Sequence, residues 1–190
     1  MKKGKVITAT IGLNGNVEIT AYCLATDSWQ DHQYFLAEAI KLEHADKRGS
    51  NRSLRAALLI LFSHFEGVIN QIYLEKNYTV TRRDSLAEKA EYIHKRASPK
   101  LARLNIKLWK GLRDIIAHPG IEKTISGDAL TERSTYERLS ADSVRATSAL
   151  ISQWLDAVCL ALAVERFTDT KAMIESLSEG LGQSEGPKEI

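Results

Sequence analysis

The sequence predicts a mainly all-α protein, a bundle of about five helices with an N-terminal β-hairpin attached. Three observations carry that prediction. Leu54, Leu58, Leu61, Phe65, Val68 and Ile72 recur at three- and four-residue spacing, which puts one apolar face on a long helix. Val144, Ile151, Leu155, Val158 and Leu162 mark one face of another long helix towards the C-terminus. Near the N-terminus the period shortens, and β-branched stretches flank Asn14-Gly15, a pair that tolerates the positive φ angles of a tight hairpin turn.

The hairpin is expected over residues 5–24, with strands 6–13 and 17–24. An isolated hairpin is marginal in water, so it should pack on the helical body or on a partner. Residues 1–27 are therefore read as an extension, 28–170 as the helical domain and 171–190 as a flexible tail. Ser28, with Asp31 three residues on, resembles a helix start, and this helix should run to about residue 46. Lys47-Arg48-Gly49-Ser50 is expected to break it, before a long helix over residues 51–76. Ser85-Leu86-Ala87-Glu88 has the spacing of a capping box, opening a shorter helix that ends near residue 97. Ser98-Pro99 then looks like the start of a fourth helix. That helix carries Leu101, Leu104, Leu108, Leu112 and Ile115 inward and stops at His118, because Pro119-Gly120 follows. Residues 119–137 read as polar and irregular, with a short second hairpin around Ser126-Gly127-Asp128. A last helix spans 141–167, and the Gly/Ser/Glu-rich stretch from residue 178 has the composition of a disordered tail.

At 190 residues, 44% apolar and 26% charged, the chain can bury one substantial core. A net charge of +2 excludes a passive nucleic-acid coat but leaves room for a local basic face. Cys23 and Cys159 belong to no CxxC pair, which argues against a zinc ribbon or redox motif and for two buried small hydrophobes. Neither a signal-peptide pattern nor an apolar run of membrane-spanning length is read in the sequence, so a cytoplasmic protein with no membrane partner is expected.

The chemistry concentrates in residues 111–120. Arg113 offers a cation to a phosphate, and His118 an imidazole for proton transfer. On an ideal helix the step of five residues from Arg113 to His118 turns through roughly 500°, so the two side chains diverge by about 140°, with Asp114 and Ala117 between. One helix thus supplies half a site. A second copy across a twofold axis would add a second arginine and histidine, enough for a general base, a general acid and charge stabilisation without a metal. A helix C-terminus favours the imidazolium form of His118 and nearby arginines oppose it, which leaves its protonation state open. The plain structural alternative is a histidine that only caps the last carbonyls of its helix.

Arg113, Asp114 and His118 resemble the Arg-polar-x3-His motif of the HEPN superfamily of all-helical domains. The order of helices is similar too: a long apolar helix with Phe65-Glu66 and Asn70, a shorter helix with Leu86-Ala87-Glu88-Lys89, the motif helix and a closing helix, over roughly residues 30–167. The resemblance implies a HEPN-like helical bundle and a metal-independent endoribonuclease with its active cleft between the two motifs of a homodimer. It further implies a toxin–antitoxin or phage-defence setting, with a cognate antitoxin or regulatory protein as partner. Arg113 would contact the scissile phosphate, His118 would move a proton or orient the ribose 2′-hydroxyl, and Asp114 would position one of them. The product would end in a 2′,3′-cyclic phosphate. Toxins of this kind silenced by adenylylation carry a tyrosine two residues after the histidine, where this chain has Gly120, which puts that control in doubt.

Glu66 and Asn70, one turn apart on the long helix, are candidate supports for Arg113, or simply the polar edge of a buried helix. Arg103, Lys107 and Lys110, with Lys100, are expected off the core stripe of the motif helix, where they would track an RNA backbone or merely be solvated. His94, beside Lys95-Arg96, is expected in solvent. No metal-ligand spacing, phosphate loop or hydrolase elbow appears, so no metal and no cofactor is expected. Two other readings stand beside the ribonuclease: a non-catalytic HEPN-like module that binds RNA, a nucleotide or a protein, and a purely structural bundle.

Overall fold

The computed structural model describes residues 10, 11, 17, 18, 20–79, 85–98, 100–118, 123–125, 128–166 and 168. The fold is mainly helical. The helices are α1 (Thr20–Leu42), α2 (Lys47–Glu75), α3 (Leu86–Ala97), α4 (Lys107–Ala117), the seven-residue α5 (Glu132–Arg138) and α6 (Ala141–Leu162).

α1 and α2 form an antiparallel pair held in register by polar groups at seven-residue steps. His64 Nδ1 donates to the Ala25 carbonyl at 2.6 Å, His32 Nδ1 to the Ala57 carbonyl at 2.9 Å, and Ser50 Oγ to the Ala39 carbonyl at 2.8 Å. Each seven-residue step along α1 matches one in reverse along α2, the repeat that keeps one face of each helix against the other. Ala25, Ala39 and Ala57 are buried at these crossings, and their small side chains let a polar group reach the opposite backbone. Gly67 serves the same close approach, since a Cβ there would lie 3.1 Å from that of Ala25.

The start of α1 is the first departure from expectation. α1 begins at Thr20, not Ser28, and ends at Leu42. The described residues do not support the expected N-terminal hairpin: Thr10–Ile11 faces Val17–Glu18 over two residues only, and residues 20–24 are already helical. Local β-propensity yields here to propagation of a helix already begun, which adds a hydrogen bond for each residue fixed. Lys47-Arg48-Gly49-Ser50 is no breaker either. Asp46 caps α2 by accepting from the Gly49 amide at 2.9 Å, and a Cβ at Gly49 would fall 2.5 Å from the Asp46 carboxylate.

α2 is the central element, with Leu58, Leu61, Phe65, Ile69 and Ile72 fully buried. Leu112 and Ile115 of α4, Ile93 of α3, and Ile151 and Leu155 of α6 complete the same core. Phe65 meets Trp154 edge-on, with ring centroids 5.9 Å apart. Contrary to expectation, α2 is long and apolar enough to cross a bilayer, but most of its apolar stretch is buried within the protein. Ser85 and Glu88 form the expected capping box of α3.

The fourth helix starts later than Ser98-Pro99 suggests. Lys100 and Leu101 donate their amides to Ser98, but the turn does not propagate, and α4 begins only at Lys107 after a non-helical stretch. Starting a helical turn is costly unless packing rewards it. Here Leu101, Leu104 and Ile106 reach the core from irregular chain. Further on, Lys123–Ile125 pairs antiparallel with Asp128–Leu130. Thr131 and Ser134 then cap α5, a helix that the polar composition of this stretch conceals. α6 stops at Leu162, short of residue 167, because Ala163 adopts a left-handed conformation with φ 48° and Val164 donates back to the Cys159 carbonyl. The tail beyond residue 168, including the stretch from residue 178, lies outside the described residues, as do the side chains of residues 20–24, Cys23 among them.

Candidate functional site

α4 presents the motif from its last turn. Leu112 and Ile115 anchor it in the core, which leaves Arg113, Asp114 and His118 to the sides of that anchor. Arg113 lies flat along the protein: its guanidinium sits over the Phe62 ring of α2 at 5.6 Å, a cation–π contact. Its Nε is 3.2 Å from Asp114 Oδ1, an ion-pair distance, yet it makes no aligned hydrogen bond among the described residues. Asp114 is buried and shared, because Lys110 Nζ reaches its other oxygen at 3.1 Å from one turn earlier. His118 ends the helix. Its amide donates to the Asp114 carbonyl at 2.9 Å, while its imidazole is exposed and has no hydrogen-bond partner among the described residues.

The site thus splits into a positioned cation and an open imidazole. Asp114, expected on a non-core face, is instead the buried hinge between Arg113 and Lys110. Of the candidate supports, Asn70 accepts from Lys89 of α3 at 3.1 Å, and Glu66 is exposed one turn beyond Phe62. Phe62, which the sequence offered only as one more apolar residue, is the side chain that carries Arg113.

The expected basic track on α4 is reduced. Lys107 and Lys110 do lie on α4, but Lys110 is spent on Asp114. Arg103 precedes the helix, and its guanidinium is 3.6 Å from Glu91 of α3.

Beyond the motif, the structure assembles a polar cluster from four elements that the sequence gave no reason to connect. Arg166, just after α6, folds back into the protein. Its Nη1 donates to the Ser152 carbonyl, to Ser152 Oγ and, at 2.6 Å, to Asp156 Oδ1. Its Nη2 donates to His64 Nε2 at 3.0 Å, and its guanidinium stacks over Trp29. Since the Ala25 carbonyl can only accept, His64 carries its proton on Nδ1 and is neutral. His32 is held likewise, donating to Ala57 and accepting from Ser148 Oγ at 2.8 Å. Burial pulls the His64 pKa down to about 4; the Ala25 hydrogen bond opposes this and the Arg166 charge adds to it. Burial also lowers that of His32. His94, expected in solvent, is buried as well, and its Nδ1 has no partner among the described residues. Cys159 is buried as expected, and burial pushes its thiol up to about 11.

A pH dependence follows. The unfolded chain protonates His64 near its ordinary 6.5, whereas the folded chain resists until about 4. The stability that His64 contributes is therefore complete above 6.5 and is lost as pH falls towards 4, by about 3 kcal/mol. Urea titrations of the wild type and of His64→Gln across this window should show a steeper acid loss in the wild type. Equal slopes would refute the assignment.

Among the described residues no group of three or more His, Cys, Asp or Glu side chains is placed to share a metal ion. No family model, curated protein or solved structure matches the chain.

Proposed function

We propose that this protein is a metal-independent endoribonuclease of HEPN type, active as a homodimer in the cytoplasm as a toxin or phage-defence effector. The observation that supports this most is the division of labour on α4: an open imidazole at His118 about one and a half turns from a guanidinium held by Asp114 and Phe62. Two copies facing across a twofold axis supply the full set of groups. One His118 takes the proton of a ribose 2′-hydroxyl as its oxygen bonds to the adjacent phosphorus. The other gives a proton to the 5′-oxygen as the P–O5′ bond breaks, leaving a 2′,3′-cyclic phosphate and a 5′-hydroxyl. Arg113 balances the charge that builds on the phosphoryl oxygens.

The test is cleavage of labelled single-stranded RNA by the purified protein in excess EDTA, with the product ends identified. Cleavage that persists in EDTA and yields cyclic ends is the expected result. The reading is overturned if no RNA is cut and the His118→Ala variant is no less toxic on expression. One observation favours the second reading, a HEPN-like module that binds without cutting: Arg113 is already engaged within its own subunit by Asp114 and Phe62. That module would retain RNA and release no product.

A further inference from the structure

We infer that Trp109 is a base-stacking residue, which with Arg113 makes a subsite for one nucleotide of single-stranded RNA on the outer face of α4. The inference deepens the ribonuclease reading and rests on it. The chain has three tryptophans, and two are engaged within the fold. Trp29 packs against His32 and His64 and carries the Arg166 guanidinium, while Trp154 meets Phe65 edge-on. Trp109 differs. It is half-buried against the core, yet its ring meets no aromatic ring and no cation among the described residues. Its indole N–H is open to solvent and has no hydrogen-bond partner among the described residues. Part of a large apolar ring is thus left in water, and covering it with another flat ring is favourable.

The place of Trp109 on α4 selects the occupant. Trp109 lies four residues before Arg113, so the two side chains leave the helix within roughly 40° of each other and about 6 Å apart along the axis. The buried residues Gly111, Leu112, Asp114 and Ile115 lie on the opposite side of the helix. Arg113 is fixed at its root and open at its tip. Its Nε lies beside Asp114 and its guanidinium rests on Phe62. Its two terminal nitrogens reach solvent and have no hydrogen-bond partner among the described residues.

A guanidinium tip of this kind fits two oxygens of a phosphate. An open aromatic face one turn away fits a base, because every base has a π face to stack. Base and phosphate are the two halves of a nucleotide, so one nucleotide satisfies both groups at once. The strand must be single, since in a duplex the faces of each base are covered by its neighbours. Stacking carries little sequence information, so this subsite binds a nucleotide without choosing its base.

The experiment measures binding of a fluorescein-labelled, 2′-O-methylated single-stranded RNA by anisotropy; with no free 2′-hydroxyl the probe stays intact. Trp109→Leu keeps an apolar side chain against the core and removes the π face. It should weaken binding about five- to a hundredfold and leave the slope of log K against log salt unchanged, because stacking neutralises no phosphate. Arg113→Gln, by contrast, should lower that slope by about 0.7. Trp109→Phe should recover most of the affinity, whereas a packing role alone gives phenylalanine no advantage over leucine. Unlabelled probe should quench the tryptophan emission of the wild type but not that of Trp109→Phe. Unchanged affinity in Trp109→Leu, or a quench that persists in Trp109→Phe, overturns the inference. So does conversion of a wild-type dimer to a monomer by Trp109→Leu, since a second copy would then cover Trp109. If Trp109→Leu does not fold, the quench in the wild type and its loss in Trp109→Phe still decide. A wild type that cuts unmodified RNA despite such a failure keeps the ribonuclease reading, and only the base subsite falls. One that neither binds nor cuts RNA ends both.

Discussion

His118→Ala should lower RNA cleavage by about a hundredfold or more, with melting temperature and oligomeric state unchanged. A positioned general acid or base contributes on the order of a hundred- to ten-thousandfold, and in the proposed dimer the substitution removes both. Its lack of effect on stability follows from the surroundings. The imidazole is exposed, and the bond by which His118 closes α4 runs from its backbone amide to Asp114, which alanine retains. Arg113→Ala should differ in kind, losing cleavage and also some stability, because the guanidinium covers Phe62 and lies against the buried Asp114. Cleavage and thermal melts of both variants separate a catalytic histidine from a structural one. Undiminished cleavage by His118→Ala would end the catalytic assignment.

Arg166→Ala should destabilise the protein by about 1–3 kcal/mol, the usual cost of leaving a buried acceptor without its donor, since the charged partner Asp156 stays exposed to solvent. Arg166 joins α1, α2 and α6: it stacks on Trp29, donates to His64 and bonds Ser152 and Asp156. Without it, His64 Nε2 is a buried acceptor with no donor, and the segment after α6 loses its anchor. Urea denaturation measures the loss. Arg166→Lys should recover only part of it, since one ammonium cannot reproduce a planar fork directed at several acceptors while stacked on an indole. A loss below about 1 kcal/mol, the range of exposed ion pairs, would mean that the cluster is not structural.

The long core helix and the last helix were legible because their apolar residues repeat over many turns, and a long periodic signal survives local irregularity. The ends were less legible. Thr20 to Leu24 look β-prone but are helical, and Ser98-Pro99 looks like a helix start but α4 begins only at Lys107. The candidate site divides in the same way. Arg113, Asp114 and His118 were visible as a motif, and the helical wheel already showed that one helix holds half a site. Phe62 beneath Arg113 was not visible, because nothing local in the sequence says which apolar residue of α2 meets the last turn of α4.

By itself, then, the sequence determined the helical periods, the residues of the core stripes, the α3 cap and which side chains stand at the end of α4. These depend on residues within a turn or two of each other. Only the tertiary structure decided that Asp114 is buried between two cations, that His32 and His64 are neutral, and that Arg166 links three helices. Burial and hydrogen-bond partners come from chain segments distant in sequence, which no local pattern encodes.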